Sequence, residues 1–207
     1  MKNTIKLSPA DFSLGIAHLT LVKEDELEMI CLTKEGFEVE LTFQPKAQFL
    51  QPQHFPKMME LLESQAQKYG DVMLSIGLVE MGNITAISEL RKYKSGRCPT
   101  GSSFGAIYHL YTAGTKVHIL LNTWEQGLIG IRENTVFLKN PKGFPGEKAM
   151  ERRAISIEQY FEMKKKLKLV KLPSDEEQYD DIFPEHPLSR VRKMMRELEQ
   201  NFLITRH

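Results

Sequence analysis

The most suggestive chemical motif in the sequence is a Gly-x-Ser-x-Gly pattern at Gly101–Gly105, with Ser103 at its centre. In hydrolases with this pattern, a sharp strand-to-helix turn exposes the serine as a nucleophile. The residues that follow, Ala106–Tyr111, form a strand pattern, whereas such a turn requires a helix. We therefore interpret the motif as a flexible turn between two strands. A hydrolase or small-ligand enzyme that uses Ser103 or Cys98 stays an alternative function.

Two histidines offer a second candidate site. A hairpin turn centred on Ala113–Gly114 would place His109 directly opposite His118 on one face of a sheet. Two imidazoles at that distance can share a metal ion, but zinc takes three or four ligands. The neighbouring residues on that face offer neither a carboxylate nor a thiolate. We therefore expect surface or half-buried histidines here, and no metal or cofactor.

Two charged runs complete the candidate chemistry. The acidic residues of 175–181 lack the alternating ligands and central glycine of an EF-hand loop, so we expect a solvated helix start. We also predict a capping box that begins at Ser174. The basic run Lys164–Lys171 has no interleaved aromatic residues that could stack on bases. It leaves a basic-patch binder of anionic partners as another alternative function.

Composition limits the class of protein. The chain has 207 residues, 41% of them hydrophobic and 27% charged, which is typical of a globular protein with a substantial core. The formal net charge is +1, so we expect neither nucleic acid nor a membrane as the partner. The sequence shows no secretory signal or apolar stretch of membrane-spanning length, and its two cysteines form no CxxC pair. We expect a cytoplasmic protein.

Hydrophobic periodicity predicts the elements that position these residues. Alternation over residues 16–43 predicts antiparallel strands, and further strands are predicted at 72–78, 84–93, 106–112 and 117–123. Helical spacing predicts helices at 55–69, 131–138 and 157–167, and a final helix that begins at Pro187. We therefore predict an α+β fold, an antiparallel sheet covered by helices, in a single domain of residues 1–207. A C-terminal extension and helix, about 172–204, should pack on the sheet.

Polar residues cluster around the only tryptophan. Trp124–Gly127 and Gly130–Glu133 lie on either side of the passage from the last strand into a short helix. One arginine and two glutamates near the indole suggest either a small polar pocket or an ion pair that fixes the turn.

Two segments in this part of the chain carry a resemblance to known proteins. The stretch Asn122–Glu133 contains Trp-Glu-Gln-Gly followed by Gly-Ile-Arg-Glu, and Tyr179–Arg192 contains Phe-Pro-Glu-His-Pro-Leu-Ser-Arg-Val-Arg. They resemble a group of uncharacterised bacterial proteins with a PsbP-like α/β/α sandwich. That fold is shared by a photosystem accessory subunit, a Ran-binding factor and bacterial immunity proteins that block secreted toxins. The resemblance implies that this chain binds another protein, and it assigns no catalytic residues.

These observations favour a non-enzymatic protein-binding domain, such as an immunity or accessory protein of a bacterial toxin or secretion system. The expected partner is therefore another protein, with a toxin or effector as the specific expectation. The candidate partner-binding residues are Trp124, Glu125, Arg132, Glu133, His186, Arg190 and Arg192. Several of them equally suit a structural role, in which they hold the terminal helix against the sheet.

Overall fold

The computed structural model of the protein describes residues 12–14, 16, 19–34, 36–45, 52–95, 98–112, 115–126, 130–140 and 168–204. The strands within these residues are β1 (Phe12–Ser13), β2 (Thr20–Glu24), β3 (Glu28–Leu32), β4 (Glu38–Pro45), β5 (Val72–Met81), β6 (Ile84–Ser95), β7 (Cys98–Thr112), β8 (Thr115–Trp124) and β9 (Leu203–Ile204). The helices are α1 (Phe55–Tyr69), α2 (Ile131–Lys139) and α3 (Pro187–Asn201). None of the helices among the described residues is long and apolar enough to cross a membrane.

Seven strands form one sheet in the order β2-β3-β4-β8-β7-β6-β5. Every neighbouring pair is antiparallel. β8 lies between β4 and β7, and its alternation buries Val117, Ile119 and Leu121 on one face. β1 and β9 form a separate two-stranded ladder. The α+β class with an antiparallel sheet covered by helices is confirmed.

One face of the sheet packs against α3. Pro187 occupies the first turn of this helix, where a missing backbone N–H costs nothing, as the sequence predicts. Leu188, Val191 and Leu198 are fully buried in the main core, and α3 contacts β7 and β8. Burial of each such side chain contributes roughly 1.5–3 kcal/mol. The start of α3 is thereby held firmly against the sheet.

The opposite face packs against α1. Phe55 and Leu62 of the helix form a smaller core with Ile87 and Tyr111 of the sheet. α1 ends, as predicted, at Gly70, whose φ of 78° lies in the left-handed region that favours glycine.

Two local predictions are wrong. Gly101–Gly105 is not a turn, because it lies inside β7, which pairs with both β6 and β8. The capping residue near 174 is not Ser174: the carboxylate of Asp175 accepts the Leu172 N–H at 2.8 Å. The helix predicted at 157–167 and the turn at Ala113–Gly114 lie outside the described residues.

Candidate functional site

Arg132, in the first turn of α2, lies inside the protein with 1% of its surface exposed. Its guanidinium donates to Asp180 Oδ1 at 2.9 Å and to Ser189 Oγ at 2.6 Å. It also donates to the backbone carbonyls of Ser174 at 2.6 Å and Glu176 at 2.9 Å. One side chain therefore connects α2, the segment after residue 172 and α3.

Two further cations fix the same segment. Arg192 of α3 donates to Asp180 Oδ1 at 2.9 Å and to the Asp175 carbonyl at 2.6 Å. Lys92 of β6 contacts the Asp175 carboxylate at 3.0 and 3.1 Å, and both side chains are almost fully buried. The predicted solvated helix start is therefore wrong for Asp175 and Asp180, since each carboxylate is buried against a cation. Arg132 and Arg192 therefore bind groups within the protein and hold the segment after residue 172 against α2 and α3.

Glu125, just beyond β8, is a buried carboxylate held by backbone donors. The Ser102 N–H donates to Oε2 at 2.5 Å and the Gly130 N–H donates to Oε1 at 3.0 Å. Burial alone would raise the pKa of Glu125, but the contact with His186 and these two donors outweigh it and hold the pKa below its ordinary value. Glu125 is thus a buried anion, and the suggested ion pair with Arg132 is replaced by these contacts.

Glu133 and His186 face the same carboxylate. His186 Nε2 lies 3.7 Å from Glu125 Oε1 and 4.0 Å from Glu133 Oε1, too far for hydrogen bonds. Among the described residues, neither carboxylate oxygen of Glu133 has a hydrogen-bond partner, and neither does His186 Nε2. Burial, reinforced by the charge of Glu125, raises the pKa of Glu133. We refer to Glu125, Glu133 and His186 as the Glu-Glu-His cluster.

The local structure fixes the orientation of the His186 ring. His186 is the N-cap residue of α3, and its Nδ1 accepts the Leu188 N–H at 3.2 Å. The ring also meets Phe104 edge-on, with 5.6 Å between ring centroids. Because Nδ1 acts as an acceptor, the ring hydrogen of a neutral His186 lies on Nε2 and points at the two carboxylates. Within the part of the chain that the structure describes, only this cluster brings three possible metal-binding side chains together.

A cleft of about 170 Å³ lies at the surface beside the cluster. Its walls come from the β3–β4 connection, the end of β8 and the start of α3. Its lining residues are Gly36, Phe37, Thr123, Trp124, Gln126, Glu185, Pro187 and Arg190. We refer to it as the Trp124–Arg190 cleft.

The Arg190 guanidinium is the distinctive group of this cleft. It lies over the ring of the buried Phe37, with 4.2 Å between the guanidinium carbon and the ring centroid. Among the described residues it has no hydrogen-bond or ion-pair partner, although Glu185 lines the same cleft. A stacked guanidinium keeps its N–H donors in one plane, which suits a carboxylate or another planar oxyanion.

The structure places the seven predicted partner-binding residues in two layers. Trp124 and Arg190 line the cleft, whereas the other five lie behind it, half-buried or buried. Two of these five residues are next to cleft residues in the sequence. Glu125 follows Trp124, and His186 lies between Glu185 and Pro187. Phe37, on which Arg190 stacks, was missed because it is nearly 90 positions before Trp124 and carries no polar signal of its own.

His109 and His118 pair as predicted, opposite each other on β7 and β8. Their ring centroids are 4.7 Å apart. The neighbouring residues on β7 and β8 offer no carboxylate, but β6 supplies the fully buried Glu89, whose Oε1 lies 2.7 Å from His109 Nε2. The expectation of surface or half-buried histidines is wrong for His109, which is buried. Arg91 donates to Glu89 Oε2 at 2.9 and 2.7 Å. Burial, with the charges of His109 and Lys116, lowers the pKa of His118 to about 3, so His118 is neutral.

Of the two candidate nucleophiles, Ser103 and Cys98, the structure describes the side chain of Ser103 alone. Ser103 is 1% exposed and lies in the middle of β7, paired with Trp124 of β8. This position does not provide the exposed turn that a nucleophilic serine needs. Nothing is described of the Cys98 side chain.

The basic run is described only from residue 168 onward. Lys171 lies 3.7 Å from Glu176 Oε1, and its ammonium group is 3.5 Å from the Leu74 carbonyl. This end of the run therefore has contacts within the protein.

The sheet order and the helix placement define the chain as an α+β protein with one antiparallel sheet covered by helices. No protein-family model matches the chain, and no curated protein matches it. Among solved structures, the Ran-binding protein Mog1p of Saccharomyces cerevisiae has a similar fold, with a TM-score of 0.51 and 9% sequence identity. The match covers 97% of this chain and 94% of Mog1p. At this identity the likeness shows a shared fold.

Two weaker likenesses involve bacterial proteins. A protein from Bacteroides thetaiotaomicron matches 60% of this chain with a TM-score of 0.39 and 11% identity, and the chain covers 42% of that protein. A protein of unknown function, PA94 from Pseudomonas aeruginosa, matches 67% of this chain and all of its own, with a TM-score of 0.34 and 8% identity.

Proposed function

We propose that the protein is a non-enzymatic protein-binding domain whose Trp124–Arg190 cleft binds an acidic side chain of a protein partner. The observation that carries this proposal is the Arg190 guanidinium, which is stacked on Phe37 and has no anionic partner among the described residues. Arginine and tryptophan are the residue types that contribute most often to binding hot spots. The cleft contains both.

The size of the cleft favours a side chain over a whole small molecule. Pockets for small-molecule ligands have volumes of roughly 300–1,000 Å³. The cleft is about 170 Å³, so it accommodates one or two side chains of a larger surface. A carboxylate would pair with the Arg190 guanidinium, and an adjacent apolar side chain would contact Trp124. The flanking Glu185 disfavours partners that place a second acidic residue beside the first.

The residues behind the cleft have a positioning role in this proposal. Glu125 anchors the chain next to Trp124 through two backbone N–H groups. Arg132 and Arg192 fix the segment that leads into α3, and His186 caps the helix that carries Arg190. Because these contacts already fix the walls of the Trp124–Arg190 cleft, the cleft loses little conformational entropy when a partner binds.

Several finer statements belong to the same proposal. We assign the chain to the PsbP-like group on the strength of its two resembling segments, and an immunity or accessory role against a bacterial toxin or effector is the specific form of the function. We further propose a single domain of residues 1–207, a cytoplasmic location, and a partner that is neither nucleic acid nor membrane. The near-neutral net charge supports the choice of partner. The likeness to a Ran-binding protein supports a binding role.

A peptide selection tests the proposed chemistry of the cleft. Random peptides displayed on phage are selected on the full chain, and the affinity of the enriched peptides is then measured. We expect peptides with an Asp or Glu beside an aromatic or aliphatic residue. Arg190→Met, which keeps an apolar chain over Phe37, should weaken them at least about tenfold, or roughly 1.4 kcal/mol. Arg196→Met, which removes an exposed arginine of the same helix outside the cleft, should leave the affinity unchanged.

Two results would contradict the proposal. One is the failure to enrich any peptide. The other is a set of peptides that bind Arg190→Met as tightly as the unmodified protein, which would place binding elsewhere on the surface.

A further inference from the structure

Among the described residues, only the Glu-Glu-His cluster brings together three side chains that could bind one metal ion. It has two carboxylates and one imidazole, and their nearest ligand atoms all lie within 4.8 Å of one another. The cations that neutralise the neighbouring carboxylates, Arg132, Lys92 and Arg192, are each committed to Asp175 or Asp180. Among the described residues, none of these three cations forms a hydrogen bond or an ion pair with the cluster. We propose that the cluster is a binding site for a divalent transition-metal ion.

The separations between the ligand atoms fit a metal ion. His186 Nε2 is 3.7 Å from the Glu125 oxygen and 4.0 Å from the Glu133 oxygen. The points equidistant from three atoms with these spacings lie at least about 2.1–2.5 Å from each of them, so an ion near the plane of the three atoms would have bonds slightly longer than the roughly 2.0–2.2 Å of zinc–nitrogen and zinc–oxygen bonds. The same separations are too long for direct hydrogen bonds within the cluster.

Unsatisfied polar atoms point into the same space. The His186 side chain is 9% exposed, and its Nε2 atom has no hydrogen-bond partner among the described residues. Both oxygens of Glu133 are buried without a partner as well. Buried polar atoms are normally paired, because leaving one unpaired is costly. A divalent ion would bind the unpaired His186 Nε2 and Glu133 Oε1, and it would neutralise the charges of the two carboxylates.

The donor set indicates the class of metal. One imidazole nitrogen with two carboxylate oxygens suits zinc or manganese, whereas calcium and magnesium prefer oxygen ligands alone. Three protein ligands leave a coordination position open. Glu185 and Pro187, the chain neighbours of His186, line the Trp124–Arg190 cleft, so the ion would lie just behind its wall.

Metal binding has a structural consequence at the start of α3. Nδ1 of His186 now accepts the Leu188 N–H, so the ring hydrogen lies on Nε2. When Nε2 binds a metal ion, the hydrogen must move to Nδ1, and the hydrogen bond to Leu188 is lost. At 3.2 Å this bond is long, and its loss is small beside the binding energy of a metal site. The shift of the ring hydrogen gives the proposal a signature that incidental surface binding lacks.

Zinc titration of the full chain, after removal of metals with EDTA, tests the proposal by calorimetry. We expect one equivalent of zinc to bind, and Glu133→Gln to weaken that binding at least about tenfold, since a carboxylate ligand is lost. Glu63→Gln, which removes the same charge from an exposed position on α1, should change the affinity by less than about twofold. Failure to bind zinc, or equal binding by Glu133→Gln, would overturn the proposal.

An NMR measurement on the unmodified protein decides the same question without relying on a variant. The ¹⁵N resonances of the His186 imidazole are followed as zinc is added. We expect the Nε2 resonance to shift to the range of a metal-bound nitrogen, with a hydrogen now on Nδ1. If other histidines respond while His186 does not, the proposal is wrong.

Discussion

At the scale of single residues, Arg132 is the most heavily committed side chain among the described residues. It is fully buried, and its guanidinium has two side-chain and two backbone acceptors. Burial lowers the pKa of Arg132, and the contact with Asp180 opposes that effect. A buried arginine of this kind is costly to remove because its partner is left as an unpaired charge.

Replacing Arg132 should therefore destabilise the protein strongly. We expect Arg132→Met to lower the free energy of unfolding by about 3–5 kcal/mol, measured by urea denaturation. The matched control is Arg196→Met, because Arg196 forms an exposed ion pair with Glu177 and should contribute only about 0–1 kcal/mol. Equal effects of the two substitutions would show that Arg132 does not hold the segment in place.

The neutral state of His118 predicts a dependence of stability on pH. In the folded protein its pKa is lowered to about 3, while in the unfolded chain it keeps its ordinary value of 6.5. Between these values the unfolded state binds a proton that the folded state does not. The free energy of unfolding should therefore fall as the pH is lowered below about 6.5.

Denaturation at a series of pH values checks this prediction. His118→Gln, which does not titrate, should reduce the loss of stability between roughly pH 6.5 and 5. His54→Gln, at an exposed histidine, should leave the loss unchanged. A His118→Gln protein with the same pH dependence as the unmodified protein would contradict a buried neutral His118.

At the scale of elements, the sequence predicted what local periodicity controls. α1 begins and ends where its spacing, prolines and glycine indicate, α3 begins at Pro187 as predicted, and β7 and β8 pair in the predicted register. The Gly101–Gly105 prediction failed because pairing with β6 and β8 overrides the local preference of glycine and serine for turns.

The buried ion pair between β6 and the segment after residue 172 was not predictable from local patterns. Lys92 and Asp175 are 83 positions apart, and only the fold brings them together. The acidic run looked solvated for the same reason, since its cationic partners lie on β6, α2 and α3. A sequence shows which charges are present but not which of them meet inside the protein.

A pair of substitutions tests the energetics of this link. Lys92→Met should cost about 3–5 kcal/mol, since it leaves the Asp175 carboxylate buried without its cation. Adding Asp175→Asn should recover part of that loss, because asparagine has no charge but still offers an oxygen to the Leu172 N–H. The free energy of unfolding would be measured for each single variant and for the double variant. Additive losses would contradict a direct interaction between the two residues.

At the scale of the whole molecule, the candidate site depends on the fold. The Trp124–Arg190 cleft forms where the β3–β4 connection, the end of β8 and the start of α3 meet. The resemblance of two segments pointed to Trp124 and Arg190, and the fold brings both to one cleft. The resemblance alone could not distinguish these surface residues from Arg132 and Arg192, because all four lie in the same two segments. Burial separates the two groups, and burial is a property of the folded chain.

The central claim is that this cleft contacts a protein partner, and photo-crosslinking in the native host tests it most directly. A photoreactive amino acid is placed at Gln126, an exposed position on the cleft, and in a second protein at Leu61, an exposed position on α1. We predict a discrete crosslink to one protein from position 126 that disappears in Arg190→Met and is absent from position 61. No crosslink from position 126, or the same products from both positions, would contradict the claim.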